Sequence, residues 1–237
     1  MMKKWFGMMC VLAMMLTAVG CGQTGGKTPA QGSSSPAQSS DLEYVKANGK
    51  LVVGITDFEP MDYKDESGKW VGFDADMATA FAESLGVEVE FVEIDWDNKI
   101  VELDGKSIDC VWNGMTLTDD VKAAMACSKP YCNNQQVVVV PAEKAQNYQT
   151  ADSCKDLNFA VEEGSAGQEM ADENGFTYTA VKDQATAVME VASGTSDAAV
   201  IDSLMAAAMV GEGTGYESLA YTVGLNSEEY GVGFRKG

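Results

Sequence analysis

The sequence contains no histidine and only one arginine, Arg235. Without imidazole, and with six cysteines whose spacings match no zinc-binding pattern, no metal site or other cofactor is expected. Basic residues are scarce overall, because 16 lysines and arginines stand against 36 acids, giving a net charge of −20. A field of this sign repels phosphate backbones and anionic lipids, which argues against nucleic acid as a partner and favours a cationic or zwitterionic small ligand.

Long apolar segments are also missing, apart from one short run near the N-terminus. Residues 5–19 follow Lys3 and Lys4, but the run is too short to span a bilayer comfortably. It leads to the small residues before Cys21 and resembles the lipobox of bacterial lipoproteins, with Ala18 where leucine is more usual. We therefore predict a lipoprotein signal peptide at residues 1–20 and lipidation of Cys21, the alternative being an ordinary signal peptide beside an accidental cysteine.

Residues 21–40 are rich in Gly, Ser, Thr, Gln, Pro and Ala and predict a flexible tether. Export and acylation would hold the rest of the chain at the extracellular face of the cell membrane, or in the periplasm of a Gram-negative source. Removal of the signal peptide takes away two lysines and no acid, which brings the net charge to −22.

From residue 41 onward, strand and helix patterns alternate. Short apolar runs at residues 51–55, 108–112, 136–140, 159–162 and 198–201 predict buried strands, with helical periodicity between them. Repeated βα units of this kind indicate parallel sheets covered by helices, in which ligands bind beyond the carboxyl ends of the strands.

Helix boundaries are marked by capping residues. Asp74 is predicted to cap a helix whose apolar face carries Met77, Phe81 and Leu85, and Thr118 and Asp183 to cap two later helices. Glycines end several of these helices.

Four further cysteines lie in this part of the chain: Cys110, Cys127, Cys132 and Cys154. An exported chain meets an oxidising environment, so we expect one or two disulfides, with free buried thiols as the alternative.

Several segments, in order, resemble the extracellular solute-binding proteins of polar amino acid ABC transporters. They read LVVGITDFEPMDY, GKWVGFDADMATAFAESLG, NGMTLTDDV with CSKPY, and SDAAVIDS. The resemblance implies an α/β, periplasmic-binding-protein-like fold of two lobes with parallel-type sheets joined by a two-strand hinge. It places the first lobe at residues 41–134, the second at 135–227 and a returning hinge strand at 228–237, and implies that the family's first lobe continues beyond the end of this sequence.

The same resemblance assigns ligand-binding positions. Phe58 and Trp96 correspond to aromatic walls, although either could be an ordinary core aromatic. The ligand's polar atoms would meet Asn113, Gly114 and Thr116. In the second lobe, Ser165 lies in the glycine-containing loop at residues 164–167, and Asp202 corresponds to a carboxylate that grips an amino group. The alternative for Asp202 is a helix N-cap.

The sequence departs from the family at Val121. The family has an arginine there, whose two parallel N–H bonds hold the ligand's α-carboxylate. Lys122 is rotated about 100° around the helix and is expected to point elsewhere. Either backbone N–H groups hold the carboxylate, or the ligand has none, and the acidic composition then favours an amine or quaternary cation.

The expected function is capture of a polar amino acid or related small amine by a monomeric, lipid-anchored binding protein that delivers it to an ABC permease. Two other classes stay open. A dehydratase-like enzyme on the same fold would need general acids without histidine. A sensory module would need a fused membrane domain.

Overall fold

A computed structural model describes residues 40–236 of the 237-residue chain. The predicted signal peptide, Cys21 and nearly all of the tether lie outside the described residues. Within the described residues, every helix is too short or too polar to cross a membrane.

Fourteen strands and seven α-helices form the described chain, with three short 3-10 turns. The strands are β1 (Lys50–Ile55), β2 (Tyr63–Lys64), β3 (Trp70–Val71), β4 (Glu88–Glu93), β5 (Cys110–Val111), β6 (Ala126–Cys127), β7 (Cys132–Asn134), β8 (Gln136–Pro141), β9 (Asn158–Glu162), β10 (Thr177–Val181), β11 (Ala198–Asp202), β12 (Leu219–Gly224), β13 (Glu228–Tyr230) and β14 (Gly233–Phe234). The helices are α1 (Asp41–Asn48), α2 (Phe73–Leu85), α3 (Lys99–Asp104), α4 (Asp119–Ala124), α5 (Ala166–Asn174), α6 (Gln184–Ser193) and α7 (Ser203–Met209). The 3-10 turns are Trp96–Asn98, Ala142–Asn147 and Ala151–Cys154.

The first lobe is built on a five-stranded sheet in the order β4-β1-β5-β14-β6. Strands β4, β1 and β5 are parallel, whereas β14 pairs antiparallel with both β5 and β6. Val53 and Ile55 of β1 are fully buried, and Phe81 packs edge-on against Trp112 at 5.9 Å between ring centroids. Trp112 is therefore a core residue, as its position inside a predicted strand suggested.

The second lobe is built on a five-stranded sheet in the order β10-β9-β11-β8-β12. Strands β10, β9 and β11 are parallel, but β8 runs antiparallel to both β11 and β12. Both sheets are thus mixed rather than purely parallel. The reason is connectivity: β8 and β12 are the strands that enter from and return to the first lobe, so they are not βα units.

The chain passes between the lobes through two adjacent strands, β7 and β13. They pair antiparallel, with Asn134 opposite Glu228 and Cys132 opposite Tyr230. Tyr230 is fully buried between the lobes' cores, and its ring packs edge-on against Phe58 at 6.2 Å. The crossing strands therefore connect directly to a side chain predicted to contact ligand.

One prediction about α2 is wrong and another holds only in part. Its N-cap position is Gly72, and Asp74 lies inside the first turn, where its carboxylate accepts hydrogen bonds from the Gly114 N–H and the Tyr131 hydroxyl. Of the predicted apolar face, Phe81 packs against the core, whereas Met77 is 46% exposed. The fully buried apolar positions of the helix are instead small residues, the alanines at 75, 78 and 82, which let the helix lie close to the sheet. By contrast, the predicted caps Thr118 and Asp183 both accept the expected backbone N–H bond.

The expected disulfides are absent from the described part of the chain, where all four cysteines carry free thiols. Cys110 is buried in the core of the first lobe and Cys154 in the core of the second, so they cannot meet. Cys127 lies on β6 of the first sheet and Cys132 on the crossing strand β7. The sequence could not distinguish these places, because cysteine spacing carries no information on sheet membership.

Candidate functional site

A cleft of about 370 Å³ opens between the two lobes. All seven residues that the sequence singled out as ligand-binding border it. They are Phe58, Trp96, Asn113, Gly114, Thr116, Ser165 and Asp202. The cleft lies at the carboxyl ends of β1, β5, β9 and β11, where a ligand site is expected in α/β sheets.

The aromatic walls come from the first lobe. Phe58 and Trp96 are 2% and 7% exposed, so each ring presents only a small edge to the cleft. A Cβ added to Gly114 would lie 2.3 Å from the Phe58 ring, and this glycine has φ of +55°. Glycine is therefore required at this position both for its backbone conformation and for the close approach of the ring.

The polar loop at residues 113–116 is already hydrogen-bonded within the protein. The Asn113 amide exchanges bonds of 2.9 and 2.8 Å with Thr56, and the Gly114 N–H donates to Asp74 at 2.6 Å. The Thr116 hydroxyl donates to Glu228 at 2.8 Å. These groups hold the loop in place, which leaves few of its donors for a ligand.

Ser165 is similarly engaged. Its hydroxyl donates to the Glu162 carbonyl at 2.7 Å and accepts from the Gln168 N–H at 3.1 Å, which makes it the N-cap of α5. Next to it, Gly164 has φ of +70°, and a Cβ there would lie 2.8 Å from the Cα of Asp97 in the other lobe. The two lobes are therefore in close contact at this edge of the cleft.

Asp202 ends β11 at the floor of the cleft and is 5% exposed. Its carboxylate accepts hydrogen bonds from four side chains of the second lobe and the crossing strands: Asn134, Gln136, Gln184 and Tyr230. It occupies the N-cap position of α7 but makes no capping bond. Burial, and then the charge of Glu228, raise the pKa of Asp202 to about 7.

Glu162 is a cleft residue that sequence reasoning missed. It ends β9 beside Asp202, is 3% exposed, and receives a 3.4 Å hydrogen bond from Gln184 on Oε2. No described residue donates a hydrogen bond to its other oxygen, Oε1. Burial, and then the charge of Asp202, raise the pKa of Glu162 to about 8. The usable signal was its position as the last residue of a predicted strand.

The second missed residue is Lys99, at the start of α3. Its ammonium donates to the carbonyls of Trp96, at 3.2 Å, and of Gly164 in the other lobe, at 2.8 Å. It also lies 4.9 Å from the centre of the Trp96 ring, and burial lowers its pKa. Of its three donors, two are therefore occupied by backbone carbonyls.

Val121 borders the cleft with 4% exposure, so an apolar side chain occupies this part of the wall. Neither Arg235 nor Lys122 borders the cleft. Arg235 forms ion pairs with Asp41 and Asp109 at the base of the first lobe, at 2.8 and 2.7 Å. Lys122 is exposed and borders a neighbouring surface groove instead.

Charge in the cleft is strongly one-sided. Lys99 is the single basic residue among the described residues that border it. The acids that border it are Asp97, Asp120, Glu162, Glu169, Asp172 and Asp202. Asp57 and Asp95, which follow β1 and β4, are exposed and lie outside it. Because acids outnumber bases around it, the cleft suits a small cation or zwitterion held by carboxylates.

Among the described residues, no group of three or more potential metal ligands comes together.

Comparison with known proteins points to one family. The sequence profile of the bacterial extracellular solute-binding proteins, family 3, matches residues 51–201. The L-cystine-binding protein TcyJ of Escherichia coli (strain K12) is 30% identical over 200 residues, covering 83% of this chain and 74% of TcyJ.

Solved structures agree. The holo form of ArgBP from T. maritima superposes with a TM-score of 0.75 at 32% identity, covering 82% of this chain and 86% of that one. The ancestral amino acid-binding protein AncCDT-1, a precursor of cyclohexadienyl dehydratase, has a TM-score of 0.76 at 33% identity, with coverages of 84% and 87%. The two-lobed architecture described above is the one these proteins share.

Proposed function

The chain belongs to the bacterial extracellular solute-binding proteins of family 3, and on this premise we propose that it captures a polar amino acid or related small amine outside the cell and delivers it to an ABC permease. The observation that carries the proposal is the cleft itself. Its first-lobe side offers aromatic edges, and its second-lobe floor offers the paired carboxyl groups of Glu162 and Asp202. A ligand between them would contact both lobes at once.

Capture would work by closure of the lobes over the ligand. Among residues 40–236, few polar contacts join the lobes across the cleft in the absence of a ligand. Lys99 reaches the Gly164 carbonyl, and the exposed Lys182 pairs with Glu93 at 3.0 Å. The exposed ion pair contributes at most about 1 kcal/mol and the Lys99 hydrogen bond about 1.5–3 kcal/mol, so these contacts would separate open and closed forms by only a few kcal/mol. A ligand that contacts both lobes then shifts the population toward the closed form.

A thermal-shift panel tests this function. The purified chain is mixed with each of the common amino acids and with the corresponding decarboxylated amines. A ligand at about a hundred times its dissociation constant adds roughly 2.7 kcal/mol of stability, which raises Tm by several degrees. If no compound raised Tm, the proposal of a small amino acid or amine ligand would be wrong.

Asp202 provides the first site test. Asp202→Asn removes the charge while keeping the size and several of the hydrogen bonds, and it should weaken binding of an amine ligand about tenfold or more. Undiminished binding would contradict the assignment of Asp202 as a ligand carboxylate. Comparing the urea midpoint of the variant with that of the wild type separates lost binding from lost stability.

We place the protein as a lipid-anchored monomer outside the cell membrane, with Cys21 as the acylated residue. The sequence pattern before Cys21 supports this location. Cells expressing the full chain and fed an alkyne-tagged fatty acid should label the wild type but not Cys21→Ser, and the variant should leave the membrane fraction. Equal labelling of both chains would refute lipidation at Cys21.

A dehydratase-like activity is the second candidate, and one specific observation favours it. The fold brings Glu162 and Asp202 together, and their pKa values lie near neutrality, where a carboxyl group can act as a general acid. Incubation with hydroxyl-bearing cyclic amino acid precursors, followed by mass spectrometry for loss of water, tests this candidate. Turnover abolished by Glu162→Gln would support it, and bound but unchanged precursor would refute it.

A further inference from the structure

The Oε1 atom of Glu162 lacks a hydrogen-bond partner among the described residues although it is buried at the edge of the cleft. A buried carboxyl oxygen without a partner costs free energy in either protonation state, so native proteins rarely keep one without a reason. Glu162 is held in place through its other oxygen by Gln184, and Gln184 is in turn fixed by accepting the Asp202 N–H at 2.8 Å. The free oxygen is therefore positioned rather than loose.

The neighbouring carboxylate is more fully occupied. Asp202 already accepts four hydrogen bonds from protein side chains, three on Oδ1 and one on Oδ2, so that only Oδ2 has room for a further donor. Of the two acids, Glu162 is the one with an oxygen to which no described residue donates, and a cationic group beside it would favour its ionised, accepting form.

Few side-chain donors in the described cleft are free to bind an anionic group of a ligand. Lys99 has one N–H left after its two backbone contacts, and Val121 offers none. Ser165, Thr116 and the Gly114 N–H are engaged within the protein. Among these described groups, the free hydrogen-bonding capacity is thus mainly that of an acceptor, the Glu162 oxygen.

We infer that Glu162 is a specificity-determining residue that receives an ammonium or guanidinium group of the ligand, so that the ligand is a basic amino acid or an amine with a second cationic group. The inference rests on the proposed capture function and narrows its substrate class. The Phe58 and Trp96 edges across the cleft suit the aliphatic stem of such a molecule, and aromatic faces also attract cations. A carboxylate, where the ligand has one, would be left to the first N–H groups of α5, since those of Gln168 and Glu169 already donate to Ser165.

Matched probe pairs test the inference. Arginine is compared with citrulline, its uncharged isostere, and lysine with norleucine, while agmatine and cadaverine supply cations without a carboxylate. Dissociation constants are measured by calorimetry for wild type, Glu162→Gln and Glu163→Gln. Glu163 is the adjacent, exposed glutamate outside the cleft and serves as the control for charge and sequence position.

For wild type and Glu163→Gln, a cationic probe should bind about ten- to a hundredfold more tightly than its neutral isostere, as expected for a charge-assisted hydrogen bond. In Glu162→Gln the ratio of the two dissociation constants should fall to severalfold or less. The inference is overturned if neutral isosteres bind as well as the cations, or if Glu162→Gln keeps the full preference. If none of these probes and no common amino acid binds the wild type, the proposed capture function fails as well.

Discussion

Glu162→Gln should flatten part of the pH dependence of stability in the ligand-free protein. Burial raises the pKa of Glu162 from 4.5 to about 8, assisted by the negative charge of Asp202. An acid whose pKa is raised on folding holds its proton more tightly in the folded state. The contribution of Glu162 to the free energy of unfolding is therefore fully present below pH 4.5 and is lost as the pH rises from there through about 8.

The magnitude follows from the size of this shift. At 1.36 kcal/mol per pKa unit, a rise from 4.5 to about 8 corresponds to roughly 5 kcal/mol as an upper limit. Glu162 is coupled to Asp202, with Asp183 adding negative charge and Lys99 opposing it. Coupling and water entry at high pH reduce the expected loss to about 1–3 kcal/mol.

Urea unfolding at about pH 5.5 and about pH 8.5 measures the effect. The free energy of unfolding of the wild type should fall between these pH values by about 1–3 kcal/mol more than that of Glu162→Gln. Glu163→Gln should follow the wild type, because Glu163 is exposed. Burial raises the pKa of Asp62 to about 9, so Asp62 also makes stability depend on pH, but it does so equally in all three proteins. Identical pH profiles for wild type and Glu162→Gln would refute the argument.

Three further outcomes test the structure more broadly. Gly114→Ala should lower stability to urea by about 2 kcal/mol or more, because the new Cβ meets the Phe58 ring in a left-handed conformation, and an unchanged midpoint would contradict this packing. Arg235→Ala should cost about 3–5 kcal/mol in thermal unfolding, because it leaves Asp109 buried and uncompensated, whereas a loss below about 1 kcal/mol would show a weak ion pair. Dithiothreitol should leave Tm unchanged, since the four described cysteines are free thiols, and a fall of several degrees would reveal a disulfide.

Much of the fold was readable from the sequence because it depends on local patterns. The alternation of strands and helices, the caps Thr118 and Asp183, and the strand-end positions of the predicted ligand residues all follow from neighbours a few residues apart. The local pattern was misleading at α2, where Asp74 is not the N-cap and Met77 is not on the buried side. The spacing of apolar residues predicted the helix correctly, but it did not predict which of its residues the sheet would bury.

The sequence by itself determined that the chain is acidic, that it alternates βα units, and that an apolar valine stands at position 121. Tertiary structure alone decided which polar groups are free. Thr116 is engaged by Glu228, 112 residues away, and Asn113 by Thr56, 57 residues away. Glu162, by contrast, is left with one oxygen to which no described residue donates, beside an Asp202 that already accepts four hydrogen bonds. Hydrogen-bond partners at such separations are set by how the sheets and crossing strands meet, and no periodicity along the chain encodes that meeting.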